Sequence, residues 1–183
     1  MVEPYMNYCA KKGCGEMDLY IKQRVFTFGD QFTVSDQQGN KLYEVQGKVF
    51  SFGDQLTISE VDGPAQIHIK QKLASWMPRY AIEMDNKVVC EVVKKFTFFK
   101  ASFDISPFNW VVEGDVFNHH YILRDESTEI MTVKKEWLTW GDTYHVTINE
   151  EKLVLPCLAI MIVLDLVLHN KKSQNHSTAF HNN

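Results

Sequence analysis

The segment Leu153-Val-Leu-Pro-Cys-Leu-Ala-Ile-Met-Ile-Val-Leu-Asp-Leu-Val-Leu168 constrains this chain more than any other, being apolar on every side apart from Pro156 and Asp165. A helix without a polar face has to be enclosed, either by lipid or by protein. Its 16 residues, at about 1.5 Å each, reach roughly 24 Å, short of the ~30 Å hydrocarbon core of a bilayer. Glu150 and Glu151 ahead of it and Lys171 and Lys172 behind it suit the dipole of a soluble helix, and Pro156 fits an early-turn position. The sequence therefore predicts a helix surrounded by protein.

The material to surround it is upstream. Val25-Phe-Thr-Phe-Gly-Asp-Gln-Phe-Thr-Val-Ser-Asp36 is echoed by Val49-Phe-Ser-Phe-Gly-Asp-Gln-Leu-Thr-Ile-Ser-Glu60, and more loosely by Leu138-Thr-Trp-Gly-Asp-Thr-Tyr-His-Val-Thr-Ile148. Each copy places Gly-Asp between aromatic residues and an alternating run, the pattern of a turn feeding a strand, with Asp30, Asp54 and Asp142 as turn formers. Apolar residues also alternate with polar ones at Phe32 and Val34, Leu56 and Ile58, Ile67 and Ile69, and Tyr80, Ile82 and Met84. Asp85-Asn86 then reads as a turn into a strand over Lys87–Val93. Further strands are predicted over Phe103–Ile105, Trp110–Asp115, Tyr121–Arg124, Ile130–Lys134 and Tyr144–Ile148. One apolar face per strand implies one sheet closing around a single interior. The expected fold is mainly β (α+β): a closed, roughly twelve-stranded antiparallel barrel wrapped around a central hydrophobic C-terminal helix.

The expected organisation is a flexible N-terminal extension over residues 1–16, a single domain over 17–170 and a disordered polar tail over 171–183. The chain has 183 residues and 45% hydrophobic content, which leaves room for one ordinary domain and argues against disorder as its main state. A net charge of -4 argues against nucleic acid as a partner. The N-terminus lacks the features of a secretory signal, so the four cysteines are expected as free thiols and the location as cytoplasmic. Cys9 and Cys14 have the spacing of half a zinc knuckle, but no second cysteine pair follows, so no metal site and no cofactor are expected.

Catalytic signatures are absent from the sequence: there is no nucleophile elbow, phosphate loop or His-Glu-x-x-His, so no catalytic residues are assigned. Asp165 is a carboxylate in an apolar helix, expected at the barrel mouth, hydrogen-bonded or partly wet rather than as a buried acid. His119 and His120 are neighbours on an expected strand and so face opposite sides. His68 and His145 fall on polar faces. Lysines recur at Lys94-Lys95, Lys100, Lys134-Lys135 and Lys70 with Lys72 and Arg79. If barrel closure gathers them, Lys94, Lys95, Lys134 and Lys135 are the candidate lipid-binding residues, against the plainer reading of edge lysines that block aggregation.

Asp18-Leu-Tyr-Ile-Lys-Gln-Arg-Val-Phe-Thr-Phe-Gly-Asp-Gln-Phe32, its echo from Phe50, Trp110-Val-Val-Glu-Gly-Asp-Val-Phe117, Val133-Lys-Lys-Glu-Trp-Leu-Thr-Trp-Gly-Asp-Thr-Tyr144 and the helix with Leu164-Asp165 carry a family likeness. Together, over residues 17 to about 169, they resemble the bacterial YxjI-like branch of the LURP-one-related family. The resemblance implies the tubby-like C-terminal fold, a twelve-stranded barrel around a hydrophobic helix. Tubby proteins bind phosphoinositides through a basic patch, and phospholipid scramblases resemble the same fold; no lipid-site motif of either carries over residue by residue. The resulting expectation is a non-enzymatic, monomeric binding or scaffold domain that meets anionic lipid or a protein partner at the membrane periphery. The alternative is a scramblase-like lipid-handling protein anchored through its C-terminal helix.

Overall fold

The computed structural model describes residues 15–22, 31–48, 55–97, 101–138 and 141–177, with no side chains considered at 137–138, 141–142 and 169–177. Both full Phe-Gly-Asp copies, with Asp30 and Asp54, and Cys9, Cys14 and Lys100 lie outside the described residues. The strands are β1 (Met17–Lys22), β2 (Gln31–Ser35), β3 (Lys41–Lys48), β4 (Gln55–Glu60), β5 (Gln66–Gln71) and β6 (Arg79–Met84). There follow β7 (Lys87–Lys94), β8 (Phe103–Ser106), β9 (Val111–Asp115), β10 (His120–Asp125), β11 (Thr128–Leu138) and β12 (Gly141–Ile148). A helix, α1 (Val154–Ser177), completes the described chain. It runs on past Leu168 and Lys171, where the sequence reading begins a tail.

The strands form one twelve-stranded antiparallel sheet in the order β8-β7-β6-β5-β4-β3-β2-β1-β12-β11-β10-β9. Its two edge strands, β8 and β9, approach each other without a hydrogen-bonded ladder. The barrel is thus nearly closed rather than closed, and the four-residue β8 is its shortest strand. Alternation sets which face is dry. Leu56 and Ile58 of β4 and Ile67 and Ile69 of β5 are buried, while Gln55 and Gln66 are exposed. A turn with positive φ at Asp85 (50°) and Asn86 (59°) joins β6 to β7, as expected for two residues that tolerate that region.

Along α1, every residue from Cys157 to Leu168 is buried, more than three consecutive turns, so no azimuth of the helix faces water there. These side chains and the inward strand residues form a single apolar core, in which Leu158, Ile160, Ile162 and Leu164 join Leu19, Val45, Val92 and Val146. Among the described residues no helix is long and apolar enough to cross a membrane.

Two departures from the sequence expectations are local. β1 and β3 are strands that the alternation does not single out; in β3, Lys41-Leu-Tyr-Glu-Val-Gln-Gly-Lys48 buries only Tyr43 and Val45. Gly141 and Asp142 already stand in β12, opposite Leu138 and Trp137, so the third Gly-Asp opens a strand instead of making a turn.

Candidate functional site

The antiparallel register places the ends of β1, β3, β5, β7, β9 and β11 on one rim of the barrel, together with the starts of their partners. The first four of these strands run out into lysine: Lys22, Lys48, Lys72 and the pair Lys94-Lys95. Arg79 opens β6 beside them. Lys22, Lys48, Lys72, Arg79 and Lys95 are all exposed. Acids at this rim include Asp115 and Asp104, the latter 3.5 Å from Lys95; Glu91 stands 3.5 Å from Arg79. The opposite rim has the reverse balance, with Asp62, Asp85, Asp125, Glu126 and Glu150 against Lys41, Lys87 and Lys152. Among the described residues, cations thus predominate at one rim and acids at the other.

The four candidate lysines do not gather into one patch. Neighbours on a strand face opposite sides, so each pair divides. Lys95 and Lys134 point outward and are exposed; Lys94 is only 5% exposed and Lys135 is half-buried. Strand β7, which carries the first pair, is separated from β11, which carries the second, by β8, β9 and β10 across the seam. Lys95 and Lys134 share the cationic rim but not a pocket. A shallow groove of about 620 Å³ does open on that rim, lined among others by Lys72, Trp76, Arg79 and Glu91.

Below the same rim is a buried polar cluster that sequence reasoning misses. His119 is not on a strand. It caps a 3-10 turn over Val116–Asn118 with φ 53° and ψ 44°, and the turn is held by the Asp115 carboxylate, which accepts from the Asn118 backbone N–H. This left-handed residue turns the imidazole inward, to 3.3 Å from the Asp165 carboxylate on α1. The ring also meets Tyr144 edge-on, with centroids 4.9 Å apart. Burial pushes the Tyr121 hydroxyl well above the usual phenol range, and the negative charge of Asp165 adds to the effect. Asp165 is 2% exposed and His119 8%, so the carboxylate is dry and partnered rather than partly wet at the mouth. A His–Asp pair is acid–base chemistry in principle, but here it faces core side chains. Its visible work is to tie α1 to the β9–β10 connection. The signal that would have found it is Gly114-Asp-Val-Phe-Asn118: Gly114 has φ +110°, and a Cβ there would lie 2.6 Å from the His120 carbonyl, so the chain must turn sharply before the histidines.

His68 pairs with the Thr57 hydroxyl at 3.0 Å on the barrel exterior. His145 stacks on Tyr20 and lies 2.8 Å from Asp18, which also accepts from the Thr147 hydroxyl at 2.8 Å. Among the described residues no group of histidine, cysteine and acidic side chains is arranged to hold a metal.

Comparison with known proteins agrees with the barrel. The sequence model of the LURP-one-related family matches residues 17–165. A Bacillus subtilis (strain 168) protein described as uncharacterized protein YxjI is 43% identical over 159 residues, covering 87% of this chain and 98% of its own. An X-ray structure of a protein from Arabidopsis thaliana superposes with a TM-score of 0.54 at 16% identity, over 81% of this chain and 91% of that one.

Proposed function

Because the chain belongs to the LURP-one-related family, we propose that it is a non-enzymatic binding or scaffold domain of tubby-like architecture, its helix threaded through the barrel, that engages anionic phospholipid headgroups. The observation that carries this reading is the segregation of charge: exposed Lys22, Lys48, Lys72, Arg79 and Lys95 crown one rim of an otherwise acidic molecule. Near an anionic surface each such cation contributes about 1 kcal/mol, and the attraction dies away within a Debye length of about 8–10 Å. Four or five of them give weak, reversible, salt-sensitive attachment, the behaviour of a peripheral protein on a cytoplasmic membrane face. The non-enzymatic part is supported by the position of the Asp165–His119 pair, walled off from any substrate by its burial. Threading of α1 is supported by its unbroken burial from Cys157 to Leu168.

Sedimentation with phosphatidylcholine vesicles, with and without phosphatidylserine, tests the headgroup reading. Binding is expected only with the anionic lipid, falling steeply between low and physiological salt. Charge reversal at Lys72 and Lys95 together should abolish it. Equal binding to neutral vesicles, or none to either, would remove the reading.

A further inference from the structure

The exposed apolar side chains differ in kind between the two rims. Val61, Val88 and Val111 stand toward the acidic rim. Every exposed aromatic among the described residues stands at the cationic one: Trp76 (99% exposed), Phe96 (72%) and Phe117 (62%), with Leu73 (59%) beside Trp76. They project from three successive connections around the barrel, β5–β6, β7–β8 and β9–β10, the last reached across the β8–β9 seam. The loop that presents Trp76 is fastened at its base. Lys72 N–H donates to the Arg79 carbonyl at 2.9 Å, and Lys94 N–H to the Pro78 carbonyl at 3.0 Å.

We propose that the Lys72–Pro78 loop, with Trp76 at its tip and Phe96 and Phe117 on the neighbouring connections, enters the interfacial zone of an anionic membrane and fixes the barrel upright on it. This deepens the headgroup reading and rests on it. The chemistry of the rim selects that occupant. Tryptophan flanked by cations is the composition that settles at the level of lipid headgroups, its ring toward the acyl chains and the lysines among the phosphates. A second copy related by a two-fold axis would bring one cationic rim against another and be repelled. A loop already fastened to its strands also loses little freedom on docking, so more of the apolar contact remains as affinity. The acidic rim then points away from the surface, which gives the bound domain a single orientation.

The test uses the full chain, phosphatidylcholine vesicles with and without phosphatidylserine, and the variants Trp76→Ser, Trp76→Phe and Phe96→Ser, with Val88→Ser on the far rim as control. Because Trp76 is almost wholly exposed, thermal melts of its variants should match the parent. Trp76→Ser should lower partitioning onto anionic vesicles by about tenfold, the scale of losing one large buried aromatic contact, and leave its salt dependence unchanged. Trp76→Phe should keep most of the binding and lose the blue shift of tryptophan emission that the parent shows on vesicles. Val88→Ser should change nothing. Undiminished binding by Trp76→Ser and Phe96→Ser, without an emission shift in the parent, overturns insertion and leaves the headgroup reading standing. Trp76-dependent binding that ignores lipid charge and salt leaves insertion standing and overturns the headgroup reading. Concentration-dependent self-association abolished by Trp76→Ser would assign the rim to a second copy and overturn the proposal, as would no vesicle binding at all.

Discussion

Replacing Ile160 with aspartate should unfold the entire domain, and the size of the effect follows from where the residue stands. Ile160 is completely buried midway along the unbroken run from Cys157 to Leu168. Removing its side chain forfeits about 1.5–3 kcal/mol of apolar burial. A carboxylate confined in the same place adds several kcal/mol more, in desolvation or in the work of protonating it. The sum, about 5–8 kcal/mol, is of the order of the whole stability of such a domain, about 5–15 kcal/mol. Asp165 shows what makes a carboxylate tolerable on this helix, since His119 stands 3.3 Å away. Ile160→Val, in contrast, should cost about 0.5–1.5 kcal/mol and stay folded with a lower midpoint. Circular dichroism and urea unfolding of both variants provide the measurement, with a third chain ending before Leu153 as the decisive arm. A helix threaded through the barrel requires the shortened chain to be insoluble or unfolded. A cooperatively melting Ile160→Asp, or a soluble barrel without α1, would refute the reasoning.

The Asp165–His119 pair should appear as coupling: His119→Leu and Asp165→Leu each destabilise by about 3–5 kcal/mol, while the double variant recovers much of the loss. Additive urea-melt values would instead mean that the two groups do not act together. At Asp18, the hydrogen bond from Thr147 and the contact with His145 lower the carboxyl pKa below its ordinary 3.8. A lowered folded-state pKa stabilises above 3.8 and loses that contribution as pH falls through the folded value, so Asp18→Asn should cost under about 1 kcal/mol at pH 7 and progressively less below pH 4. A cost that grows on acidification would contradict this sign. Burial pushes the Cys90 thiol up to about 12 and the Cys157 thiol higher still. In a Cys9→Ser, Cys14→Ser background, both should resist a thiol reagent at pH 8 until denaturant is added; prompt native labelling would show the core to be open.

Most strands were legible where one face is dry and the other wet, β1 with Leu19 and Ile21 inward being an exception. Phe32 and Val34, Leu56 and Ile58, and Ile67 and Ile69 all point inward as their alternation indicates. β3 was harder to see, because Gly47 and the polar residues around Tyr43 and Val45 dilute the period. The bulge opposite Ile82 and Glu83 inserts Val89 into β7, so Val89 and Cys90 are both buried, which strict alternation does not allow. The site was less legible than the fold. Strand parity alone predicts that Lys94-Lys95 and Lys134-Lys135 divide, but the polarity of the rims depends on which strand ends share an edge, and that is topology. His119 escaped because one left-handed residue outside the strand period decides its direction. Trp76 escaped because a lone aromatic in a polar loop carries no periodic signal.

All strand pairs but one join consecutive strands; the exception is β1 with β12, where Asp18 lies opposite Thr147. For a nascent chain this fixes a timetable. Strands β1 to β8 can ladder as each leaves the ribosome, but the second edge of β1 stays open until β12 follows. The inward apolar side chains of the strands share one core with α1 and lack those neighbours until it follows. At synthesis rates of about 5–20 residues per second, the interval between the emergence of β1 and that of Leu168 is roughly 7–30 s. Throughout it the growing sheet presents both a bare edge and an uncovered inner face, the two features that invite pairing with other chains. Completion of the core is therefore deferred until α1 emerges, and a chain stalled before Leu153 would keep both features.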